Sequence, residues 1–247
     1  MPITLDKVVP WGRSFSEYVK MFDLREAAFQ STILDCAGGP ASFNAEARQR
    51  GIPVISCDPI YCFSAQDLAQ RIEETREDIL AKTHENSDNF LWSDIRSIED
   101  LAGIRAKAMK QFLADFESGL NQGRYVPAGL PALPFQGEQF HLALCSHFLF
   151  TYGNVLSLEF HLESIRELCR VAREARIFPL LESFGKGRSP HVEVIMEKLR
   201  AENYDVQIWP VPYEFQKGGN EMLVVFPTIK TFQVTASRIL ARRPCGS

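Results

Sequence analysis

Thr32-Ile33-Leu34-Asp35-Cys36-Ala37-Gly38-Gly39-Pro40-Ala41-Ser42 is the stretch on which the fold turns. A short apolar run ends in a carboxylate, a turn of small residues follows, and a helix begins. That helix is expected from about Ala41 to Arg50, stopping at Gly51, a residue suited to the left-handed position past a helix end. Pro53-Val54-Ile55-Ser56-Cys57-Asp58-Pro59 then reads as a second buried strand, again ending in Asp. Strand, helix and strand at this spacing make a parallel βαβ unit.

Working outward, Ser14 followed by Glu17 is a capping-box pattern, and Phe15, Tyr18, Val19 and Phe22 continue it at helical spacing. Downstream, Leu68, Ile72 and Ile79 form one helical stripe and Met109, Phe112, Leu113, Phe116 and Leu120 another. Residues 64–123 hold 12 Asp+Glu against 7 Lys+Arg, a local net of −5, which describes an acidic helical insertion. Parallel patterning then resumes. Arg124–Val126 is a short third strand, Pro127–Phe135 a proline-rich loop and Phe140–Cys145 a fourth strand. The 4-3-3-4 spacing of Leu158, Leu162, Ile165, Leu168 and Ala172 predicts an amphipathic helix, and Ala175–Leu181 a fifth strand. Ser189-Pro190 opens a last helix as N-cap and N1, with Val192, Ile195, Met196 and Leu199 inward. Asp205–Val211 and Glu221–Phe226 are two final strands around Lys217-Gly218-Gly219-Asn220, a tight reversal implying an antiparallel edge hairpin.

The composition fits one enzyme-sized unit. Over 247 residues, 45% are hydrophobic and 23% charged, with a net charge of −4, which excludes a disordered chain or a strongly basic nucleic-acid binder. Six cysteines, Cys36, Cys57, Cys62, Cys145, Cys169 and Cys245, show no zinc-site spacing and read as free thiols in a reducing compartment. Met1–Pro10 lacks the apolar core of a secretory signal, and Phe140–Leu162 is too interrupted by polar residues to span a membrane. A soluble, cytoplasmic protein with no membrane partner is the expectation.

In an open parallel sheet, ligands bind at the carboxyl ends of the strands near the point where strand order reverses. The informative residues lie there. Ala37, Gly38 and Gly39 let backbone approach a ligand closely, and the Asp58 carboxylate can accept both vicinal hydroxyls of a ribose. A nucleoside ligand follows. A dinucleotide fingerprint requires G-x-G-x-x-G, whereas the corresponding residues here are Ala37, Gly39 and Ser42. Beside the functional readings stand plainer ones: Asp35 as a helix N-terminus partner, Asp58 as a turn former, Cys36 and Cys145 as apolar filler, His141 as structural, and Phe148, Phe150 and Tyr152 as core or pocket wall. No residue has metal-ligand spacing.

The run Asp35-x-Ala37-x-Gly39-x-Ala41 resembles the acidic-x-Gly-x-Gly-x-Gly motif of class I S-adenosylmethionine-dependent methyltransferases, with Ala at the first and third Gly positions. Leu133-Pro134-Phe135, leading into Phe140-His141-Leu142-Ala143, resembles the L-P-F-x-x-x-x-F-D-x-V of the same superfamily, with His141 in place of Asp. The resemblance covers residues 30–60 and 124–226. It implies an α/β fold: a Rossmann-like, mostly parallel seven-stranded sheet with helices on both faces and an antiparallel last strand. The domain picture is one methyltransferase-like domain over 1–247, with 10–30 a helical cover, 64–123 a helical lid and 228–247 a basic tail.

The resemblance also places roles. Asp35 would orient the turn or the donor's amino group, with Ala37, Gly38 and Gly39 lining its methionine and ribose portions. Asp58 would bind the ribose, Ile60 would pack on the adenine, and backbone near Leu130 would meet its amino group, since Gly129 stands where an Asp is usual. Cys145, Ser146 and His147 would border the transfer zone. Arg13 and Tyr18 would close over the donor, Arg13 at its carboxylate. His147 is the best-placed general base if the acceptor must lose a proton. The implied cofactor is S-adenosylmethionine, with S-adenosylhomocysteine as product. The implied acceptor is a small molecule, not nucleic acid, because the Asn-Pro-Pro-Tyr type motif is absent at Cys145–Phe148 and the insertion is acidic. Two other classes stay open: a noncatalytic nucleoside-ligand binder of this fold, and a nicotinamide oxidoreductase, disfavoured by the incomplete glycine pattern and by the lack of a Tyr-x-x-x-Lys pair.

Overall fold

Seven strands form one sheet in the computed structural model, which describes residues 9–182 and 187–227. They are β1 (Ile33–Cys36), β2 (Val54–Cys57), β3 (Tyr125–Val126), β4 (Phe140–Ser146), β5 (Ala172–Phe178), β6 (Asp205–Pro210) and β7 (Glu221–Phe226), in the order β3-β2-β1-β4-β5-β7-β6. The pairs from β3 through β5 are parallel, whereas β7 runs antiparallel to both β5 and β6. This is the expected Rossmann-like α/β sheet with its antiparallel last strand. Strand order reverses at β1, which pairs with β2 on one side and β4 on the other, so the cleft belongs at their carboxyl ends. The basic tail 228–247, with Cys245, lies outside the described residues.

Among the described residues six α-helices accompany the sheet: α1 (Phe15–Met21), α2 (Phe43–Gln49), α3 (Ala65–Glu85), α4 (Ile98–Asn121), α5 (Leu158–Val171) and α6 (His191–Ala201). Strand alternation divides the core. Leu34, Cys36, Cys57, Ala143 and Cys145 face α5 and α6, packing with Leu162, Ile165, Leu168 and Ile195. Ile33, Val54, Leu142 and Leu144 face the other way, under Tyr18, Met21, Phe22 and Phe43. A third cluster ties α3 and α4 to the end of β2 and to β3, with Phe112 and Phe116 of α4 packed on Ile60, Tyr61, Leu68 and Tyr125. The described residues contain no helix long and apolar enough to cross a membrane.

Caps explain where the helices start. Ser14 and Ser64 each accept from the N3 amide while the N3 carboxylate, Glu17 or Asp67, accepts from the cap amide. Three expectations need correction. β5 begins at Ala172, directly after α5, and ends at Phe178 because Pro179 has no N–H for the ladder. Pro190, not Ser189, occupies the cap position of α6, with no side-chain cap bond. The β6–β7 pair is antiparallel, but its connection is the ten-residue segment 211–220, not a tight reversal; Gly218 (φ +77°) supplies only a local bend within it. That longer loop brings Tyr213 and Phe215 across the sheet towards α1 and the insertion.

Candidate functional site

The turn after β1 is built around Asp35. Sharing a face with Ile33, the Asp35 side chain points towards α1, where the Tyr18 hydroxyl donates to Oδ1 at 2.9 Å. Ser56 Oγ on β2 donates to Oδ2 at 2.8 Å, and Asn44 Nδ2 donates in turn to Ser56 Oγ at 3.1 Å. Gly38 is sterically required, since a Cβ there would lie 2.3 Å from Asp35 Oδ2 and 3.0 Å from the Tyr61 hydroxyl. Gly39 takes φ +53° and faces open space, and Ala37 takes φ +57° although it carries a Cβ. The Ala37 amide donates to Cys57 O at 2.8 Å, tying the turn to the end of β2.

Asp58 completes this side of the site. Its Oδ2 accepts from the Gly39 amide at 2.9 Å and its Oδ1 from the Ile60 amide at 3.0 Å, so the carboxylate stands beside the glycine turn. Each oxygen keeps a further lone pair. Burial pushes the Asp35 carboxyl up to about 7 in spite of its two hydroxyl donors, and pushes Asp58 up to about 6 in spite of its two amides. Both carboxylates are therefore poised to gain from positive charge or from hydroxyl donors brought in by a ligand.

The end of β4 forms the middle of the site. The Ser146 hydroxyl hydrogen-bonds His147 Nδ1 at 2.9 Å. A separate chain runs through Tyr18, Asp35, Ser56 and Asn44. His147 takes φ +49°, unusual for a residue with a Cβ, and its amide donates to Phe178 O at 2.6 Å. Burial, then Arg13 and Arg105, hold its imidazole well below the ordinary value, so it is neutral at pH 7.

Beyond His147 the site turns basic. The Arg13 segment crosses the turn: the Ser42 amide donates to Arg13 O at 3.0 Å, and a Cβ on Gly12 would strike Pro40 O at 2.0 Å. Arg105, in the i, i+4 series Leu101–Arg105–Met109 on the buried face of α4, is 1% exposed and donates through Nη1 to Glu17 Oε2 at 2.6 Å. Glu17 Oε1 accepts from the Tyr213 hydroxyl at 3.0 Å. Burial alone would raise Glu17, but the Arg105 guanidinium and the Ser14 amide hold it down to about 2. Burial, then the charge of Arg105, lowers Arg13 to about 10. One buried ion pair thus joins the N-terminal helix, the insertion and the β6–β7 loop.

The expected residues do not all meet. Arg13, Tyr18, Asp35, Ala37, Gly38, Gly39, Asp58, Ser146 and His147 lie together. Tyr18 is 1% exposed and supports Asp35 from beneath, so it does not close over a ligand. Cys145 points into the core with Cys36 and Cys57, and Ile60 into the cluster with α3 and α4, because strand alternation and the turn at Pro59–Cys62 direct them there. Leu130 packs on the core, and its neighbour Gly129 rests on Pro59, which sets loop 127–135 beside the end of β2. Sequence reasoning missed Arg105, Glu17, Tyr213 and Tyr61. An arginine inside an apolar helical stripe was the available signal for Arg105. A hollow of about 460 Å³ lined by Thr32, Ile52, Arg124 and Phe140 lies at the opposite, amino ends of the strands.

No known family profile matches the sequence. The chain is 33% identical over 225 residues to uncharacterized protein MJ0045 of Methanocaldococcus jannaschii, spanning 90% of this chain and 98% of that protein. Among solved structures, magnesium protoporphyrin IX methyltransferase from Synechocystis, crystallised with S-adenosylmethionine, aligns over 79% of this chain and 69% of its own, at 12% identity and a TM-score of 0.40. A TehB-like S-adenosylmethionine-dependent methyltransferase from Corynebacterium glutamicum aligns over 79% of each chain (14%, TM-score 0.40), and the PH0226 protein of Pyrococcus horikoshii over 85% of each (13%, TM-score 0.41).

Proposed function

The chain belongs to the family of the Methanocaldococcus jannaschii protein MJ0045, and from the site just described we propose that it is an S-adenosylmethionine-dependent methyltransferase acting on a small molecule. One observation carries the reading: the Asp58 carboxylate stands 2.9 Å from the Gly39 amide beside the end of β1, where strand order reverses. A carboxylate and a glycine turn so juxtaposed suit a ribose and the chain attached to it. The chemistry of these residues suits that ligand. Two carboxyls raised by burial favour a ligand with hydroxyl donors and positive charge, and Gly39 leaves open the space a Cβ would fill.

Bound there, S-adenosylmethionine would supply a methyl group on a sulfur already activated as a leaving group. The protein's task is then proximity and alignment. Asp58 accepts the ribose hydroxyls through its remaining lone pairs, and the backbone of Ala37, Gly38 and Gly39 lines the adjoining groups. Asp35, fixed by Tyr18 and Ser56, sets the turn and favours a nearby amine. Arg13 meets the donor's carboxylate, and backbone beside Leu130 borders the base. Ser146 and His147 border the transfer zone. His147, with Nδ1 engaged by Ser146, offers Nε2 to an acceptor that must lose a proton; being neutral, it is free to accept one.

Calorimetry with S-adenosylmethionine, S-adenosylhomocysteine and NAD tests this reading. Both adenosyl ligands should bind, and Asp58→Ala should weaken them at least tenfold. Binding of NAD alone would overturn the assignment, as would an Asp58→Ala variant with unchanged affinity. Adenosyl binding without methyl transfer to any small molecule in a labelled-methyl screen would favour the noncatalytic binder.

A further inference from the structure

Asn44 lies in the first turn of α2, is buried at 1% exposure and faces β2 and the start of β3. Its amide cannot be turned around. Oδ1 accepts from Arg124 Nη1 at 2.6 Å, and a guanidinium can only donate, so Nδ2 is fixed on the other side. There Nδ2 meets three acceptors, Val54 O at 3.3 Å, Arg124 O at 3.1 Å and Ser56 Oγ at 3.1 Å. Ser56 has one hydroxyl proton. With Asn44 donating to the Ser56 oxygen, that proton goes to Asp35 Oδ2, at 2.8 Å.

The anchor of Asn44 reaches into the insertion. Arg124 grips Asp115 of α4 with two parallel bonds, Nη1 to Oδ2 at 2.7 Å and Nη2 to Oδ1 at 2.8 Å, and the Tyr125 hydroxyl donates to the same Oδ2 at 3.0 Å. Arg124 Nε donates to Gln122 Oε1 at 2.9 Å. α4 comes this close to β3 because residue 119 is Gly, where a Cβ would stand 2.3 Å from the Tyr125 ring. A line of hydrogen bonds therefore runs from Asp115 through Arg124, Asn44 and Ser56 to Asp35, and connects the insertion to the turn after β1.

We propose that Asn44, anchored by Arg124 and Asp115, is a positioning residue for the donor site: it aims the Ser56 hydroxyl at Asp35 and so holds that carboxylate ionised and in place for the donor's amine. This deepens the methyltransferase reading and rests on it for the identity of the ligand. Asp35 depends on such help because burial opposes its charge, and the Asp58 carboxylate nearby opposes it further. The other titratable groups around it are Tyr18 of α1, Tyr61 past β2, Tyr125 of β3 and the thiols of Cys36 and Cys145. All are raised and neutral at pH 7, Cys36 through its Cys57 neighbour and the others through burial, so hydroxyl donors are what favour the charged form of Asp35.

The test follows Asp35 in the full chain by carbon-13 NMR of labelled aspartate, its resonance identified by its loss in Asp35→Asn, and measures S-adenosylhomocysteine affinity by calorimetry. Without ligand, Asn44→Leu should raise the Asp35 titration midpoint by about one pH unit. Affinity should fall at least threefold at about pH 6.5, and the loss should shrink towards about pH 9, where Asp35 is ionised in both proteins. Ser56→Ala should behave likewise, and the Asn44→Leu/Ser56→Ala double variant should bind no more weakly than the worse single variant, because Asn44 acts through Ser56. Should Asn44→Leu prove unfolded by circular dichroism, Asp115→Asn/Arg124→Gln, which removes both charges of the anchor together, should move the Asp35 midpoint in the same direction. An unmoved midpoint, a loss of affinity equal at every pH, or additive losses in the double variant would each overturn the positioning role. A wild-type chain that binds no S-adenosylhomocysteine while Asn44→Leu still moves the midpoint would keep Asn44 as the residue that positions Asp35 and overturn the donor reading alone.

Discussion

Replacing Arg105 by Gln removes the cation that allows Glu17 to stay ionised in the interior. The carboxyl moves from about 2 in the folded protein, against an ordinary 4.5, which corresponds to about 3 kcal/mol of stabilisation of the charged form. The general cost of breaking one side of a buried ion pair, about 3–5 kcal/mol, agrees with that figure. In the wild type the depressed Glu17 contributes stability that is present above pH 4.5 and lost as pH falls towards 2. In Arg105→Gln, burial dominates and raises the carboxyl, so its contribution is best at low pH and is lost as pH rises. The gap between wild type and variant should therefore widen from pH 5 to pH 8, reaching about 3 kcal/mol, or on the order of 6–12 °C in melting temperature for a chain of this size. Urea unfolding followed by circular dichroism across that range measures it. The Glu17→Gln/Arg105→Gln double variant should recover part of the loss, with a coupling of about 2 kcal/mol or more. Single variants each within 1 kcal/mol of wild type, independent of pH and additive in the double, would refute the buried pair.

Three further outcomes follow from the turn and its carboxylates. Gly38→Ala sets a Cβ against Asp35 Oδ2 and should lower stability by about 1–3 kcal/mol, whereas Gly39→Ala, at φ +53° in open space, should cost about 1 kcal/mol yet weaken the adenosyl ligands more than tenfold; unfolding and calorimetry on the two variants distinguish the effects, and identical behaviour would count against the placement. Because the Asp35 and Asp58 carboxyls are raised, their contribution is full below about pH 4 and lost as pH rises through 6 to 7. Ligand-free stability should therefore fall between pH 5 and pH 7.5 and fall less with S-adenosylmethionine bound; urea midpoints rising steadily over that interval without ligand would contradict it. Tyr18→Phe removes a buried hydrogen bond to Asp35 and should cost about 1–3 kcal/mol, with a larger loss at pH 8 than at pH 5; equal losses at both would show that Asp35 does not depend on the phenol.

Local chemistry made much of this protein legible in its sequence. The βαβ unit, the carboxylates ending two strands and the Ser14 and Ser64 caps are short-range patterns, in which a few neighbouring residues decide the outcome. The bounds of β5 were less legible, because α5 passes into it without a loop and the last helical turn is as apolar as a strand. The β6–β7 connection misled because Gly218-Gly219 looks like a complete turn, while the loop is drawn out by Tyr213 and Phe215 packing elsewhere.

From the sequence alone came the class of fold and the acidic and glycine-bearing positions that would face a ligand, since strand alternation, helical periodicity and turn geometry are properties of consecutive residues. The tertiary structure decided which of those side chains share the site. Tyr18 is turned under Asp35, while Cys145 and Ile60 are committed to the core. It also decided the charge of the site, because Glu17, Arg105 and Tyr213 are separated by 88 and 196 positions in the chain and meet only when α1, α4 and the β6–β7 loop pack together. Burial is a property of that packing, and burial is what turns two ordinary arginines and two ordinary aspartates into a polarised cleft.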